Sequence, residues 1–330
     1  MNKSYCSADC NLEIIKDKKF VVVGYGIQGR AQALNLRDSG MDVVISNIDD
    51  KYKENALADN FKVINFDEAC KIADITLLLI PDSAHLEFIN TNFRNNYKKG
   101  SLLSFAHGYS LRFEDLNLPN DIDIAMIAPR YPGQQIRDSF IEKSGVPAFI
   151  DVVNDFSSSC LEKVLGICKA IGFSEAGVLS VGYKEEAEVD LYIEQFMAPL
   201  FYSAVENSIK MLNERGYSNL VSCLELYFSG ELGAVRSMMA KKGMYTTFKN
   251  NASPTCQFGV ANSIERVFVP ELKKEMINTI DMITDGTFKK KLKIEEENGY
   301  QTVKNFFKDR ENNLIAESEK IIEKIIKRPL

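Results

Sequence analysis

A glycine-rich turn directly after an apolar strand constrains the fold more than any other feature of this sequence. The predicted strand covers residues 20–23, and Gly24, Gly26 and Gly29 follow it in the pattern GxGxxG, ahead of a helical segment. The first glycine permits the tight turn, the second lets the backbone approach a pyrophosphate, and the third lets helix and strand pack closely. The helix N-terminus then faces the phosphates with its partial positive charge. The sequence therefore predicts a Rossmann unit that binds NAD(P). The other predicted cofactor contacts lie in this turn and after later strands: Tyr25, Ile27, Gln28, Pro81, His107 and Gly133.

The choice between NAD and NADP depends on the end of the second predicted strand, in the stretch SNIDDKYKE. Asp49 or Asp50 could accept hydrogen bonds from the adenosine ribose, which favours NAD. Lys51 and Lys53 could instead pair with a 2′-phosphate, which favours NADP. All four side chains could equally be solvated loop charges. We expect NADH, with NADPH as the alternative.

The spacing of apolar residues along the chain changes near residue 180. Before that point, apolar β-rich runs alternate with helical stretches, which predicts a mostly parallel, doubly wound sheet with helices on both faces. Beyond it the apolar spacing is helical, and the Lys- and Glu-rich last forty residues or so are predicted to form a solvated terminal helix. We expect an α/β chain with a Rossmann domain over residues 1–181 and an all-helical domain over residues 182–330.

Composition excludes several classes of function. The chain of 330 residues has 45% hydrophobic and 26% charged residues, which is typical of a globular protein. A formal net charge of −6 argues against a nucleic-acid partner. No apolar run reaches the roughly 18 residues of a membrane span, so we expect no membrane partner. The seven cysteines are scattered without CxxC pairs, and the N-terminus has no apolar signal core. We therefore expect free thiols and a cytoplasmic location.

An acidic stripe marks the first long helix of the C-terminal half. Glu186, Asp190 and Glu194 lie at i, i+4 and i+8, so they share one helix face. Like charges at this spacing destabilise a helix by roughly a few tenths of a kcal/mol per pair unless a cation neutralises them. Mg2+ is typically held by one or two carboxylates, and a solvated acidic face is the alternative. Because Leu191 and Phe196 make other faces apolar, we expect part of the stripe to be buried.

Three more side chains bear on the site. Glu225 lies in a strongly apolar stretch, where a buried carboxylate needs a partner, and an exposed or capping glutamate is the alternative. His107 follows the predicted strand SLLSFA, at the edge where open α/β sheets bind ligands, so it is a candidate site residue. His85 begins a predicted helix, and we expect it on the surface.

Taken in order, these motifs resemble the short, class I form of ketol-acid reductoisomerase, an enzyme family of branched-chain amino-acid biosynthesis. The likeness runs through nearly the whole chain, from VVVGYGIQG through LLLIPD, LLSFAHG, IAPRYPG and GVPAFI to YKEEAEVDLYIEQ. The resemblance implies a Rossmann domain, a knotted helical domain, and a homodimer or higher oligomer whose active site is shared between subunits. It also implies NAD(P)H, two Mg2+ ions, and conversion of a 2-acetohydroxy acid by alkyl migration followed by reduction.

The resemblance also implies roles for individual residues. Asp190 matches the carboxylate that bridges the metals, and Glu194 matches a ligand beside it. Glu225 matches the first glutamate contributed by the partner subunit, and His107 matches the active-site histidine. The implied catalytic residues are His107, Arg130, Asp190 and Glu194, and the implied metal-site residues are Asp190, Glu194, Glu225 and Ser229.

The chain departs from the family pattern mainly in its metal and substrate half, although its phosphate-binding loop also lacks the family's Arg and Ser residues. Ser229 replaces the second cross-dimer glutamate, Arg130 replaces a lysine, and TTFKNN stands where the family has SISN. Arginine is always charged and cannot mimic a compact, titratable ammonium. Migration needs both metals, whereas reduction needs one polarised carbonyl and a positioned hydride. We therefore predict an NAD(P)H- and Mg2+-dependent oxidoreductase of a small 2-keto or ketol acid. In this enzyme the reduction step should be retained better than the alkyl-migration step.

Two other interpretations remain open from the sequence. One is an authentic ketol-acid reductoisomerase of branched-chain amino-acid biosynthesis with an unusual site. The other is a nucleotide-binding protein without catalytic activity. Turnover of acetolactate would favour the first, and NAD(P)H binding without turnover of any keto acid would favour the second.

Overall fold

A computed structural model describes residues 2–325 of the chain. The chain divides into two compact units, Met1–Val189 and Asp190–Leu330. Within the described residues, the first unit contains a sheet of nine strands in the order β1-β9-β8-β7-β6-β5-β2-β3-β4. The strands are β1 (Ser4–Tyr5), β2 (Lys19–Val23), β3 (Asp42–Ser46), β4 (Val63–Ile64), β5 (Ile75–Leu78), β6 (Leu102–Phe105), β7 (Asp123–Pro129), β8 (Ala148–Asn154) and β9 (Val178–Ser180).

The sheet is mostly parallel, as predicted. β4, β3, β2, β5, β6 and β7 pair in parallel and give the Rossmann strand order, with β2 as the first strand of the motif. β8 is antiparallel to β7, and β1 is antiparallel to β9. The carboxyl ends of β2, β5, β6 and β7 consequently lie along one edge, where a parallel sheet of this kind binds its ligand.

Helices cover both faces of this sheet, so both faces are buried. Phe20 and Val22 point into one apolar cluster, and Val21 and Val23 point into a second cluster on the opposite face. Alternate residues of a strand face opposite sides of the sheet, which explains why β2 is apolar throughout. The α-helices of this unit are Ile27–Asp38, Lys51–Ala58, Phe66–Ile72, His85–Phe88, Arg94–Asn96, Tyr109–Phe113, Gly133–Ile141 and Cys160–Ile171, and Tyr183–Tyr192 continues unbroken into the second unit.

The second unit is helical, and past Ser180 the described residues form no strand, as the apolar spacing predicts. The predicted single terminal helix is wrong, because a left-handed Tyr300 and the stretch 309–313 divide it into three. The knot stays a prediction. The helices are Ala198–Glu214, Asn219–Cys223, Glu231–Lys242, Met244–Asn251, Pro254–Val267, Pro270–Thr284, Thr287–Glu297, Gln301–Lys308 and Leu314–Ile325, with π-helical turns at Ile193–Met197 and Leu224–Phe228.

Two expectations drawn from composition bear on the described residues. None of their helices is both long enough and apolar enough to cross a membrane. All seven cysteines are free thiols in this structure, as their spacing predicts, and five of them are buried.

Candidate active site

The glycine turn after β2 has a geometry that side chains would block at two of its three positions. Gly24 has φ +96°, and a Cβ there would lie 2.6 Å from the Leu79 carbonyl oxygen. A Cβ on Gly29 would lie 2.0 Å from the carbonyl oxygen of Gly24. Gly26, at the N-cap of Ile27–Asp38, has nothing within 4 Å of its Cβ position. The turn is therefore tightly packed at Gly24 and Gly29 and open at Gly26, where a pyrophosphate would approach.

The other predicted residues of the turn have different surroundings. The Tyr25 ring is buried, and its hydroxyl donates to Asp59 at 2.8 Å. Burial and the adjacent Asp59 carboxylate raise the pKa of Tyr25. Only its backbone can therefore meet a cofactor. The Gln28 amide donates to the Tyr131 carbonyl oxygen at 3.1 Å. A Cβ on Gly133 would lie 2.1 Å from the Ile27 carbonyl oxygen, so this segment packs directly against the glycine turn.

The four charged residues that could select the cofactor lie at the loop after β3, and they have different surroundings. Asp50 caps the helix Lys51–Ala58, because its carboxylate accepts from the backbone amides of Tyr52 and Lys53. The same carboxylate accepts from Asn47 Nδ2 at 2.8 Å. Asp49 is 92% exposed and pairs with Lys53 Nζ at 3.0 Å. The Lys51 ammonium lies 5.1 Å from the Tyr52 ring centroid. Asp49 is thus the carboxylate that is most accessible to an adenosine ribose.

His85 is buried, so its expected surface position is wrong. The helix it begins turns the ring inward, where Nδ1 lies 2.8 Å from Ser110 Oγ and Nε2 lies 3.0 Å from the Ile80 carbonyl oxygen. The Ser110 hydroxyl also lies within 3.2 Å of Asp82 Oδ1. Burial holds the pKa of His85 below its ordinary value, against the opposing effect of Asp82. Pro81, in the same loop, is exposed.

Glu186 connects the elements of the site through its hydrogen bonds, and its side chain is fully buried. One carboxylate oxygen accepts from the Gly108 backbone amide at 2.7 Å, and the other accepts from Arg130 Nη2 at 2.6 Å. His107 Nε2 lies 3.7 Å from the first of these oxygens. A Cβ on Gly108 would lie 2.1 Å from the Tyr183 carbonyl oxygen. The end of β6 therefore meets the start of the acidic helix so closely that only glycine fits.

Arg130 follows β7, and several contacts hold its guanidinium in place. Its Nε donates to the Ala128 carbonyl oxygen at 3.3 Å, and the guanidinium carbon lies 4.8 Å from the Phe149 ring centroid. The pair with Glu186 is short and little exposed, so the positive charge is fixed rather than mobile. His107 and Arg130, two predicted catalytic residues, are therefore brought together by Glu186.

The acidic stripe of the helix Tyr183–Tyr192 divides as expected into buried and accessible members. Glu194 is exposed and lies in the π-helical turn Ile193–Met197. Mg2+ prefers oxygen to imidazole ligands. Asp190 is partly exposed and Glu194 is exposed, so these two carboxylates are the stripe members that are both accessible and chemically suited to a magnesium ion.

The remaining metal candidates lie further along the chain. Glu225 is exposed and lies in the π-helical turn Leu224–Phe228, so it is not the buried glutamate that its apolar neighbours allowed. Ser229 ends that turn, and its Oγ accepts from the Glu231 backbone amide at 3.3 Å. π-helical turns inside helices occur frequently at functional sites. Glu194 and Glu225 each lie in a π-helical turn, and this position is consistent with a role as metal ligands.

Sequence reasoning missed the role of Glu186 and Gly108. It placed Glu186 on the acidic stripe but not in the site, because spacing alone does not show which member of a stripe is buried. The available sequence signals were the small apolar Ala187 next to Glu186 and the glycine after His107.

A Rossmann sheet with this glycine turn, followed by a helical unit that begins with an acidic helix, defines a two-domain NAD(P)H-dependent oxidoreductase. Residues 14–177 match the family model for the acetohydroxy acid isomeroreductase NADPH-binding domain, and residues 183–328 match that for the ketol-acid reductoisomerase C-terminal domain. The chain belongs to the ketol-acid reductoisomerase family.

Individual relatives agree with this assignment. The ketol-acid reductoisomerase (NADP(+)) of Clostridioides difficile (strain 630) is 35% identical over 322 residues, or 96% of each chain. The enzyme of the same name from Pyrobaculum aerophilum is 33% identical over 311 residues, or 94% of each chain. A solved NADH-preferring ketol-acid reductoisomerase from an uncultured archaeon superimposes with a TM-score of 0.92 at 26% identity, covering 99% of this chain and 100% of that one.

Proposed function

We propose that this enzyme uses a nicotinamide cofactor and Mg2+ to reduce a small 2-keto or ketol acid, with the alkyl-migration step weakened. The observation that carries this proposal is the Arg130–Glu186 pair, at 2.6 Å in the place where the family pattern has a lysine. A guanidinium is planar and permanently charged, so it can neither lose a proton nor take the position of a compact ammonium. Ser229 removes a second feature of the family pattern, because a hydroxyl contributes no negative charge to a metal site.

Reduction tolerates these changes better than migration does. A bound Mg2+ would polarise the substrate carbonyl, and Asp190, Glu194 and Glu225 are the residues that would hold it. Hydride transfer then requires one polarised carbonyl next to the nicotinamide, which the sheet edge near His107 and Pro81 would position. Migration also requires stabilisation of a developing alkoxide. A site with one fewer carboxylate and a fixed guanidinium serves that step less well.

Steady-state kinetics with two substrates tests the proposal. 2-Acetolactate requires migration and reduction, whereas 3-hydroxy-3-methyl-2-ketobutyrate requires only reduction. We expect NADH oxidation with the second substrate and little with the first, at saturating Mg2+. Efficient turnover of acetolactate would show that the isomerase step is intact and would overturn the proposal.

We propose NADH as the preferred cofactor. The exposed Asp49 carboxylate and the capping Asp50 place two negative charges after β3, where a 2′-phosphate would be repelled. Lys53 is already paired with Asp49, so its charge is partly offset there. The curated relatives carry NADP(+) in their names, and the solved neighbour is NADH-preferring, so the loop residues of this chain decide the choice.

We propose a cytoplasmic homodimer or higher oligomer in which Glu225 completes the partner subunit's metal site. Phe258 and Val267, on one helix of the second unit, are 71% and 70% exposed, and next to them an apolar groove of about 450 Å3 is lined by Ile264, Phe268 and Leu272. Exposed apolar surface of this kind is typical of an interface. Sedimentation should show at least twice the chain mass of 37.2 kDa, and a monomer would contradict the proposal.

We retain the proposed division into a cofactor domain, 1–181, and a helical domain, 182–330. The two family models support it, because the first ends at residue 177 and the second begins at residue 183.

A second candidate function is complete ketol-acid reductoisomerase activity in branched-chain amino-acid biosynthesis. The 35% identity with the enzyme of that name over 96% of the chain favours it. The two-substrate assay separates the candidates, and rescue of an isoleucine/valine auxotroph would support this one.

A further inference from the structure

Two glutamine side chains on the helix after the glycine turn form a short chain of hydrogen bonds. Gln28 Nε2 donates to the Tyr131 carbonyl oxygen at 3.1 Å, and Gln32 Nε2 donates to Gln28 Oε1 at 3.2 Å. Both glutamines belong to the helix Ile27–Asp38, one turn apart, and Gln32 is only 2% exposed. The chain of bonds therefore runs from a buried residue of this helix to the segment that follows β7.

These bonds allow only one orientation of the Gln28 amide. A carbonyl oxygen can only accept, so the Gln28 atom that faces Tyr131 has to be the amide nitrogen. The Gln28 oxygen then faces Gln32 and accepts from its amide nitrogen. The reverse orientation would place the Gln28 oxygen against the Tyr131 carbonyl oxygen, and two acceptors have no hydrogen to share. Each of the two bonds thus has a hydrogen of its own.

Tyr131 lies in the segment that joins the substrate side of the site to the glycine turn. Before it in the chain, the Arg130 guanidinium is held by the buried Glu186 at 2.6 Å. After it, Gly133 packs so closely that a Cβ there would lie 2.1 Å from the Ile27 carbonyl oxygen. The glutamine bond holds the peptide between these two contacts. It therefore fixes this segment against the helix N-terminus that a pyrophosphate would approach.

The same orientation decides what the Gln28 amide offers to a cofactor. Its oxygen is engaged by Gln32, and one of its two amide hydrogens is engaged by the Tyr131 carbonyl oxygen. Within residues 2–325 the structure shows no partner for the second hydrogen. A hydrogen-bond donor suits an anionic pyrophosphate, whereas an amide oxygen in its place would repel the phosphate oxygens.

We propose that Gln32 is a positioning residue for the cofactor. It fixes the orientation of the Gln28 amide, so that Gln28 holds the Tyr131 carbonyl and presents a donor to the pyrophosphate. This inference rests on the proposed use of a nicotinamide cofactor. It does not depend on the identity of the keto acid, on the metal or on the alkyl-migration step.

A double-mutant cycle on the Kd for NADH tests the proposal. Gln28→Met and Gln32→Met each keep an unbranched side chain and remove its amide. We expect the Kd to rise about tenfold in Gln28→Met and about fivefold in Gln32→Met. The double variant should bind NADH about as well as Gln28→Met alone, because Gln32 acts only through Gln28. Gln135→Met, an exposed change on the helix Gly133–Ile141, is the control and should leave the Kd unaltered.

NMR of the side-chain amides gives a second readout, which needs no cofactor. The 15N and 1H resonances of the Gln28 amide should shift in Gln32→Met, because the amide loses the neighbour that engages its oxygen. The same resonances should stay in place in Gln135→Met. A residue that served only the packing of the helix would change the Tm without this specific shift.

Effects of Gln28→Met and Gln32→Met that multiply in the double variant would overturn the proposal, because Gln32 would then act independently of Gln28. Unchanged Gln28 resonances in Gln32→Met would overturn it as well. Gln32→Leu replaces Gln32→Met in both experiments if the methionine variant does not fold. Failure of the unmodified protein to bind NADH would contradict the proposed cofactor together with this role. Normal NADH binding with multiplying effects would contradict the role of Gln32 alone.

Discussion

The cofactor edge of the sheet and the predicted metal and substrate site depend on different kinds of structural feature. At the edge, the features that matter are backbone features: a left-handed Gly24, a carbonyl packed on Gly29, and an open helix N-terminus at Gly26. In the predicted metal and substrate site, the features that matter are side-chain charges, and Arg130 and Ser229 are the residues that depart from the pattern that the resemblance implies. Backbone geometry tolerates changes in most neighbouring side chains, whereas a metal and substrate site changes with each charge. We infer that hydride delivery is the more robust half of this enzyme.

The largest predicted effect concerns the buried charge pair. Glu186→Gln should lower the free energy of unfolding by roughly 3 kcal/mol, because it removes a fully buried charge that accepts hydrogen bonds from Arg130 and from the Gly108 amide. Glu188→Gln is the matched control on the same helix, where Glu188 pairs with Arg112 at 2.8 Å but is about a quarter exposed. That change should cost about 1 kcal/mol or less. Urea denaturation measures the free energy of unfolding of both variants. Equal losses would mean that the buried Glu186 contributes no more to stability than the partly exposed Glu188.

Glycine substitutions test the backbone half of the comparison. Gly29→Ala places a Cβ 2.0 Å from a carbonyl oxygen, so both thermal stability and NADH affinity should fall, the affinity by about 100-fold. Gly26→Ala meets nothing in the chain and should weaken NADH binding while leaving the Tm nearly unchanged. Gly182→Ala, which also has open space around it, is the control. If Gly26→Ala binds NADH with unchanged affinity, the pyrophosphate does not bind at this turn.

Restoring the family residue at position 130 tests the other half. Arg130→Lys should raise kcat/KM for 2-acetolactate by about tenfold, because an ammonium on a flexible stem can reposition near Glu186 as a guanidinium cannot. Reduction of 3-hydroxy-3-methyl-2-ketobutyrate should change little. Arg112→Lys, in the partly buried pair with Glu188, should leave both rates unaltered. A loss of both activities in Arg130→Lys would show that the arginine serves the chemistry directly.

Cofactor preference should respond to a single loop charge. Asp49→Asn removes the exposed carboxylate after β3 and should improve kcat/KM for NADPH about fivefold, since one screened charge near a phosphate contributes about 1 kcal/mol. NADH use should fall slightly. Asp42→Asn, on the exposed start of β3, is the control. If kcat/KM for NADPH is the same in Asp49→Asn as in the unmodified protein, Asp49 lies away from the adenosine ribose.

The smallest predicted effect is a dependence of stability on pH. Burial lowers the pKa of His85 below its ordinary value of 6.5, so the folded state favours the neutral ring. Its contribution to stability is complete above about pH 6.5 and is lost as the pH falls toward the folded-state pKa. Relative to His85→Gln, which does not titrate, the unmodified protein should lose up to about 1 kcal/mol between pH 6.5 and 5.5. Parallel stability curves for the two proteins would contradict this.

The sequence indicated the fold well because the fold rests on local patterns. The apolar β2, the glycine turn after it and the change to helical spacing near residue 180 each carry their own signal. Which side chains are buried is a tertiary property: His85 lies inside although a surface position was predicted, and the stripe did not show in advance that Glu186 is its buried member. Asp50 shows the same limit, because its capping role depends on where the helix Lys51–Ala58 begins.

The ratio of kcat/KM for 3-hydroxy-3-methyl-2-ketobutyrate to kcat/KM for 2-acetolactate tests the central claim most directly. It should be measured on the unmodified protein with NADH and saturating Mg2+, with Arg130→Lys measured in parallel. We predict a ratio of at least about 100, equivalent to about 2.7 kcal/mol of transition-state stabilisation lost from migration. A ratio near one would contradict the account, because it would mean that this site performs migration as well as reduction with Arg130 and Ser229 in place.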